Sequence, residues 1–122
     1  MRNGTRMTIR RLKTYASSQG YAYQYYFAGK RPAVGHANTT EYIFDVTSDR
    51  KLTYPVSILL ARAAASAWAE AHGRTLSDSE QYAAVKMRLF RAFDDVEDMG
   101  AAGPLWVDAA FLEDSLAGLG VE

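Results

Sequence analysis

The sequence predicts a single α+β domain over residues 1–122, with an antiparallel sheet of about three strands covered on one face by helices. Segments rich in aromatic and β-branched residues fill the first half of the chain, and segments with helix-capping signals fill the second half. Strands followed by helices indicate an α+β fold rather than alternating β–α–β units. A chain of 122 residues can bury a sizeable core without disulfides or metal ions.

The strands are assigned from composition and from alternation of apolar and polar residues. Residues 21–28, YAYQYYFA, favour a strand, and residues 9–16 form its hairpin partner across a Ser/Gln/Gly turn. A register that pairs Thr14 with Tyr23 puts the odd-numbered tyrosines on one apolar face and leaves a basic second face. Residues 41–47, EYIFDVT, alternate regularly and predict the third strand.

Two antiparallel helices are predicted over residues 55–72 and 78–98, followed by a short C-terminal helix over residues 105–118. A proline suits the first turn of the first helix, and Gly73 suits its end. The second helix begins with the sequence SDSE, which is a capping box. The third helix is indicated by a weaker repeat of apolar residues at helical spacing.

The first predicted helix has little polar surface. Arg62, Ser66 and Glu70 form one narrow stripe, so we expect several neighbours to bury the remainder, including Trp68. The same shortage of polar surface favours a homodimer with this helix or the C-terminal segment near the interface, since twofold dimers are the commonest assembly. Residues 101–122 can dock within the chain or act as a detachable peptide that inserts its apolar face into a groove.

Charge is divided between the two ends of the chain. Residues 1–31 contain seven Lys and Arg residues and no acid, whereas residues 77–122 contain ten acids and three bases. The total is zero, with 14 residues of each sign. This division indicates an acidic or nucleic-acid partner, or pairing of the two ends, and the balanced total favours pairing within the fold or across a dimer.

Several function classes are disfavoured by composition. The absence of cysteine excludes thiol chemistry, and His36 and His72 have no spacing typical of a metal site, so neither a metal nor a cofactor is expected. The chain lacks a nucleophile elbow and a phosphate-binding loop, which argues against an enzyme. No apolar run is long enough for a secretory signal or a membrane span, so a cytoplasmic protein without membrane contact is expected.

The basic face of the hairpin provides the candidate binding residues. Arg11, Lys13 and Tyr26 share this predicted face, and Lys30 and Arg31 follow directly along the chain. Tyr and Arg are enriched at the centres of protein interfaces, so the favoured interpretation is a small binding module that acts through protein association. The alternative is a single-stranded nucleic-acid binder that uses this hairpin, because such proteins combine basic grooves with aromatic platforms. A small enzyme of unknown reaction is the third candidate.

Overall fold

The computed structural model describes residues 12–122, which form a mixed five-stranded sheet and three α-helices. The strands are β1 (Lys13–Ala16), β2 (Ala22–Pro32), β3 (Thr39–Thr47), β4 (Tyr54–Ala61) and β5 (Leu105–Val107). The helices are α1 (Arg62–His72), α2 (Asp78–Asp95) and α3 (Ala109–Gly118), and one 3₁₀ turn covers Met99–Ala101. The predicted α+β class is confirmed, with a larger sheet than expected.

The sheet has the strand order β1-β2-β3-β4-β5. The first four strands form an antiparallel meander, whereas β5 is parallel to β4 and is reached through α1 and α2. Both edges of the sheet contact α2: Tyr15 of β1 stacks on Phe90 with ring centroids 4.6 Å apart, and Arg88 donates to the Trp106 carbonyl of β5 at 2.9 Å. The sheet therefore curls around α2 and leaves its other face without a described helix.

Alternation along the strands builds the core as predicted for β3. Tyr42, Phe44 and Val46 face the helices and are buried, and the tryptophan of α1, Trp68, is only 3% exposed. Both expectations are confirmed. Within residues 12–122, no helix has the length and apolar character needed to cross a membrane.

The helix predicted over residues 55–72 is wrong in its first half, which forms β4. Val56, Ile58 and Leu60 face the core, and β4 lies between two strands along part of its length. Leu59, on the opposite face, is buried as well, so residues 58–60 form a continuous apolar run, which sequence periodicity does not distinguish from a buried helix. Pro55 is tolerated because β5 pairs only with Ile58–Leu60, so β4 has no second partner at the proline.

The expectation that several neighbours bury the alanine-rich helix is also wrong. In α1 only Ala64 and Trp68 are buried, and the alanines at 63, 67 and 71 are exposed. Alanine favours a helix without requiring burial, because it loses no side-chain entropy there. The helix ends as predicted at Gly73, whose φ of 71° is the left-handed conformation of a C-terminal cap.

The predicted hairpin register is wrong by one residue. Tyr15, rather than Thr14, lies opposite Tyr23, and a longer turn closed by a 2.8 Å hydrogen bond from the Ser17 N–H to the Tyr21 carbonyl joins the strands. Tyr15 thereby reaches the aromatic core beneath α2, where it stacks on Phe90. The packing of Tyr15 therefore favours this register over the predicted one, which was chosen because it gave one apolar face and one basic face.

The remaining boundaries differ at the C-terminal side. The capping box of α2 is present as predicted, but the helix ends at Asp95 instead of residue 98. The segment predicted as a helix over residues 105–118 starts with β5, and α3 follows with Asp108 as its N-cap, accepting from the Phe111 N–H at 2.8 Å. Leu112 and Leu116 are fully buried, so the C-terminal segment docks within its own chain in this structure.

Candidate binding groove

A β-bulge in β2 determines which face of the sheet each of the basic residues Lys30 and Arg31, near the end of this strand, occupies. Phe27 pairs with Phe44 and Gly29 with Ile43, so Ala28 is an extra residue and the alternation of faces inverts beyond it. Gly29 has a φ of 148°, a conformation that side-chain-bearing residues rarely adopt. Because of this inversion, Lys30 lies on the helix-covered face of the sheet rather than beside Tyr26.

A groove of about 820 Å³ opens at this end of the sheet. It lies between the end of β2 with its following loop, the junction of β4 and α1, and the segment that leads into α2. Leu60 and Leu76 contribute apolar surface to its lining, and several elements contribute polar side chains. No Asp or Glu is found among the described lining residues. The polar and basic lining residues are Lys30, Arg31, His36, Asn38, Thr39, Thr40, Arg62, Ser66, Thr75 and Gln81.

The groove carries uncompensated positive charge. Arg31 is paired with Glu41 at 2.8 Å, and a hydrogen bond from Ser57 together with this guanidinium holds the pKa of Glu41 below its usual value. Among residues 12–122, neither Lys30 nor Arg62 forms an ion pair. The Lys30 ammonium lies 5.7 Å from the centroid of the Tyr42 ring, which is within the range of a cation–π contact.

The start of α1 adds to this positive field. The helix follows β4 directly, its N-cap is Ala61 without a side-chain hydrogen bond, and its first turn has no acid. The first N–H, that of Arg62, donates to the Asn38 carbonyl at 2.8 Å, which ties the β2–β3 loop to the helix. Asn38 has a φ of 53° at this point, a conformation that asparagine tolerates better than most residues. A helix N-terminus carries partial positive charge, so it reinforces Lys30 and Arg62.

The predicted binding residues that the structure describes are not brought together. Arg11 lies outside the described residues. Lys13 is opposite Tyr25 on the helix-covered face, whereas Tyr26 is opposite Asp45 on the open face, so the predicted common face of Lys13 and Tyr26 is wrong. A hydrogen bond to Asp45 raises the pKa of Tyr26.

Only the last two predicted residues, Lys30 and Arg31, line the groove. The sequence interpretation missed Arg62 and Ser66 as groove residues, although it had identified them as part of a polar stripe at spacing four. It also missed the bulge, for which Gly29 inside a strand pattern is the sequence signal. Arg62 and Ser66 come close to Lys30 only because β4 is a strand, which brings the start of α1 beside the end of β2.

Comparison with protein families, with curated proteins and with solved structures finds no match for this chain.

Proposed function

We propose that this protein is a small binding module that associates with another protein by holding an acidic, extended segment of it in the groove. The observation that carries the proposal is the pair of cations, Lys30 and Arg62, which have no carboxylate partner among the described residues and line a groove that also has apolar lining residues. A ligand with both negative charge and apolar side chains satisfies both parts of this surface.

The spacing of the two cations favours a chain over a single small anion. Lys30 lies two strands from Ile58, and Arg62 follows Ile58 by four residues. With strands about 4.8 Å apart and about 3.3 Å per residue, the two α-carbons are about 16 Å apart. Side chains rooted at that distance contact two separate groups of an extended ligand more readily than they clamp one phosphate.

A protein segment is favoured over a single-stranded nucleic acid because the groove offers no row of aromatic platforms. His36 is the one aromatic side chain in its described lining, and its ring meets Trp106 at 5.0 Å in an edge-on arrangement. Single-strand binders stack successive bases on aromatic rings, whereas acidic peptides need only cations and apolar contacts. The small-enzyme alternative is favoured by no observation on the described residues.

We also propose that this protein forms a homodimer and that it is cytoplasmic. The surface that favours a homodimer is the open face of the sheet rather than α1 or the C-terminal segment. Ile43 and Tyr26 lie on that face, and its Arg31–Glu41 ion pair compensates its own charge. Asp45, which also lies on this face, accepts a hydrogen bond from Tyr26, so burying this face in a dimer desolvates fewer unpartnered charges than burying the groove would.

The groove proposal is tested by fluorescence anisotropy with a labelled peptide of alternating Glu and Leu. The double substitution Lys30→Glu with Arg62→Glu should weaken binding at least tenfold. The control, Arg50→Glu with Lys51→Glu, makes the same charge change in the exposed turn before β4 and should weaken binding less than threefold. Equal losses in both double variants, or no binding of the peptide, would overturn the proposal. Tighter groove-dependent binding of an oligothymidylate would favour the nucleic-acid alternative.

A further inference from the structure

A second, smaller concavity lies at the other end of β4 from the groove. It has a volume of about 140 Å³ and is walled by the rings of Tyr21, Tyr23 and Tyr54, with Glu97 and Asp98 at its side. These residues come from three places in the chain: the first hairpin, the start of β4 and the segment that follows α2. We call this concavity the tyrosine notch.

Two of the three rings of the tyrosine notch, those of Tyr21 and Tyr23, are set at a steep angle to each other. The Tyr21 and Tyr23 ring centroids are 6.4 Å apart with an interplanar angle of 68°. Tyr23 is 3% exposed and stacks on Phe93 at 4.3 Å, so it is a fixed wall. Tyr21 is 53% exposed and forms the outer wall, facing solvent.

The charge of the tyrosine notch is negative. Glu97 and Asp98 are exposed, and neither forms an ion pair with another residue in the part of the chain that the structure describes. The side chain of Tyr23 is almost fully buried yet borders the notch. Burial is the main cause of a raised pKa of Tyr23. The nearby Tyr21 and Asp98 raise this pKa further through electrostatic repulsion, and no hydrogen bond from a described residue counteracts the effect.

We propose that the tyrosine notch binds the alkylammonium head of a lysine side chain, methylated or not, presented by a partner protein. Aromatic faces attract cations, and walls of several rings are the recognised means of binding methylated ammonium groups. The carboxylates supply the opposite charge, which a neutral apolar group would leave unused. The small volume admits a head group rather than a whole ligand, so the remainder of the partner lies on the surrounding surface.

This site is independent of the groove, since it has the opposite charge and shares no lining residue with it. A partner that used both would present an acidic segment and a lysine at opposite ends of β4. A negative result for one of the two sites would therefore leave the proposal for the other site unaffected.

The test is an NMR titration of the full chain with the capped amino acid N-acetyl-trimethyl-lysine methylamide, compared with the neutral norleucine analogue and with capped unmethylated lysine. Saturable shifts are expected at the ring signals of Tyr21 and Tyr54 and at the Gly100 amide with both lysine ligands, and not with norleucine. Tyr21→Leu removes the exposed ring and retains an apolar side chain, and Asp98→Asn removes one charge. Each should raise the dissociation constant at least fivefold.

The matched controls are Tyr26→Leu, on the open face of the sheet, and Asp114→Asn, on α3. Neither should change the dissociation constant more than twofold. Equal shifts with norleucine would show an apolar recess only, and would overturn the proposal. The proposal would also be overturned if one or both of the lysine ligands failed to give saturable shifts, or if Tyr21→Leu bound them as tightly as the unmodified protein. Because Tyr21 is half exposed, its variant is expected to fold, which an unchanged amide spectrum away from the notch would verify.

Discussion

Trp68 is the larger of the two buried residues of α1, so replacing it perturbs the packing of this helix against the core. The indole is 3% exposed, stacks on His72 with ring centroids 4.0 Å apart, and lies 4.9 Å from the Arg74 guanidinium carbon. Its Nε1 is buried, and no described residue accepts its hydrogen. The side chain therefore contributes a large apolar area and also carries an unpaired donor.

These two contributions set the expected free energies. Burial of about 150–250 Å² of a tryptophan corresponds to about 4–6 kcal/mol at about 25 cal/mol per Å². Truncation to alanine in other cores costs about 3–5 kcal/mol. Loss of an unpaired buried N–H returns about 1–3 kcal/mol, so Trp68→Ala should cost about 3 kcal/mol, near the lower end of the range.

Trp68→Phe separates the two contributions because it keeps a ring and removes the donor. The smaller ring loses about 1 kcal/mol of transfer free energy and leaves a cavity of about 40 Å³ that costs about 1 kcal/mol more, whereas removal of the unpaired N–H returns about 1–3 kcal/mol. We therefore expect a change in unfolding free energy of less than about 1 kcal/mol, of either sign. The comparison between the two variants measures how much of the effect is packing.

Urea denaturation followed by circular dichroism gives these free energies. Trp106→Ala is the control, since Trp106 is 42% exposed on the short strand β5 and should cost less than half as much as Trp68→Ala. A cost below about 1 kcal/mol for Trp68→Ala, or a Trp68→Phe variant as unstable as Trp68→Ala, would refute the assignment of this helix face to the core.

Three further results are expected. Ser77→Ala removes the side chain that caps α2 and should lower the unfolding free energy by about 1 kcal/mol in urea denaturation, whereas Ser79→Ala, two residues further along the chain, should have a smaller effect. A hydrogen bond from Arg74, and a second from the Ser77 N–H, lower the pKa of Glu80 from its ordinary value of 4.5 to about 2. Because a lowered pKa stabilises the folded state above the unfolded value, the stability from this group should be lost as pH falls from about 4.5 to 2, and Glu80→Gln should flatten that part of the stability curve. For the homodimer proposal, light scattering at micromolar concentration should give twice the chain mass, and a monomer mass would contradict it.

The segments that the sequence predicted correctly are those with a strong local signal. The capping box at Ser77 fixes the start of α2, Gly73 fixes the end of α1, and the alternation of residues 41–47 identifies the core of β3. Each signal depends on interactions within a few residues, so no knowledge of the tertiary structure is needed to interpret it. At the acidic end of α2, Asp94 accepts from the Ser18 N–H and from the Tyr15 hydroxyl, both at 2.8 Å, which are contacts between residues far apart in the sequence.

The groove was not predictable in this way because it depends on two features that local signals do not reveal. A buried strand at β4 resembles a helix in apolar content, and the bulge at Gly29 inverts the face of Lys30. The hairpin register, which depends on Tyr15 packing beneath α2, separately determines the face of Lys13. The sequence therefore identified Lys30 and Arg31 as binding residues without placing them beside Arg62.

The most direct test of the groove proposal is an amide-shift map of the full chain titrated with the Glu/Leu peptide. Binding in the groove should give shifts that cluster at Thr39, Thr40 and Ser66 and that disappear in the Lys30→Glu, Arg62→Glu double variant. Shifts that instead cluster at Gln24 and Ile43 on the open sheet face, or that persist unchanged in the double variant, would contradict it.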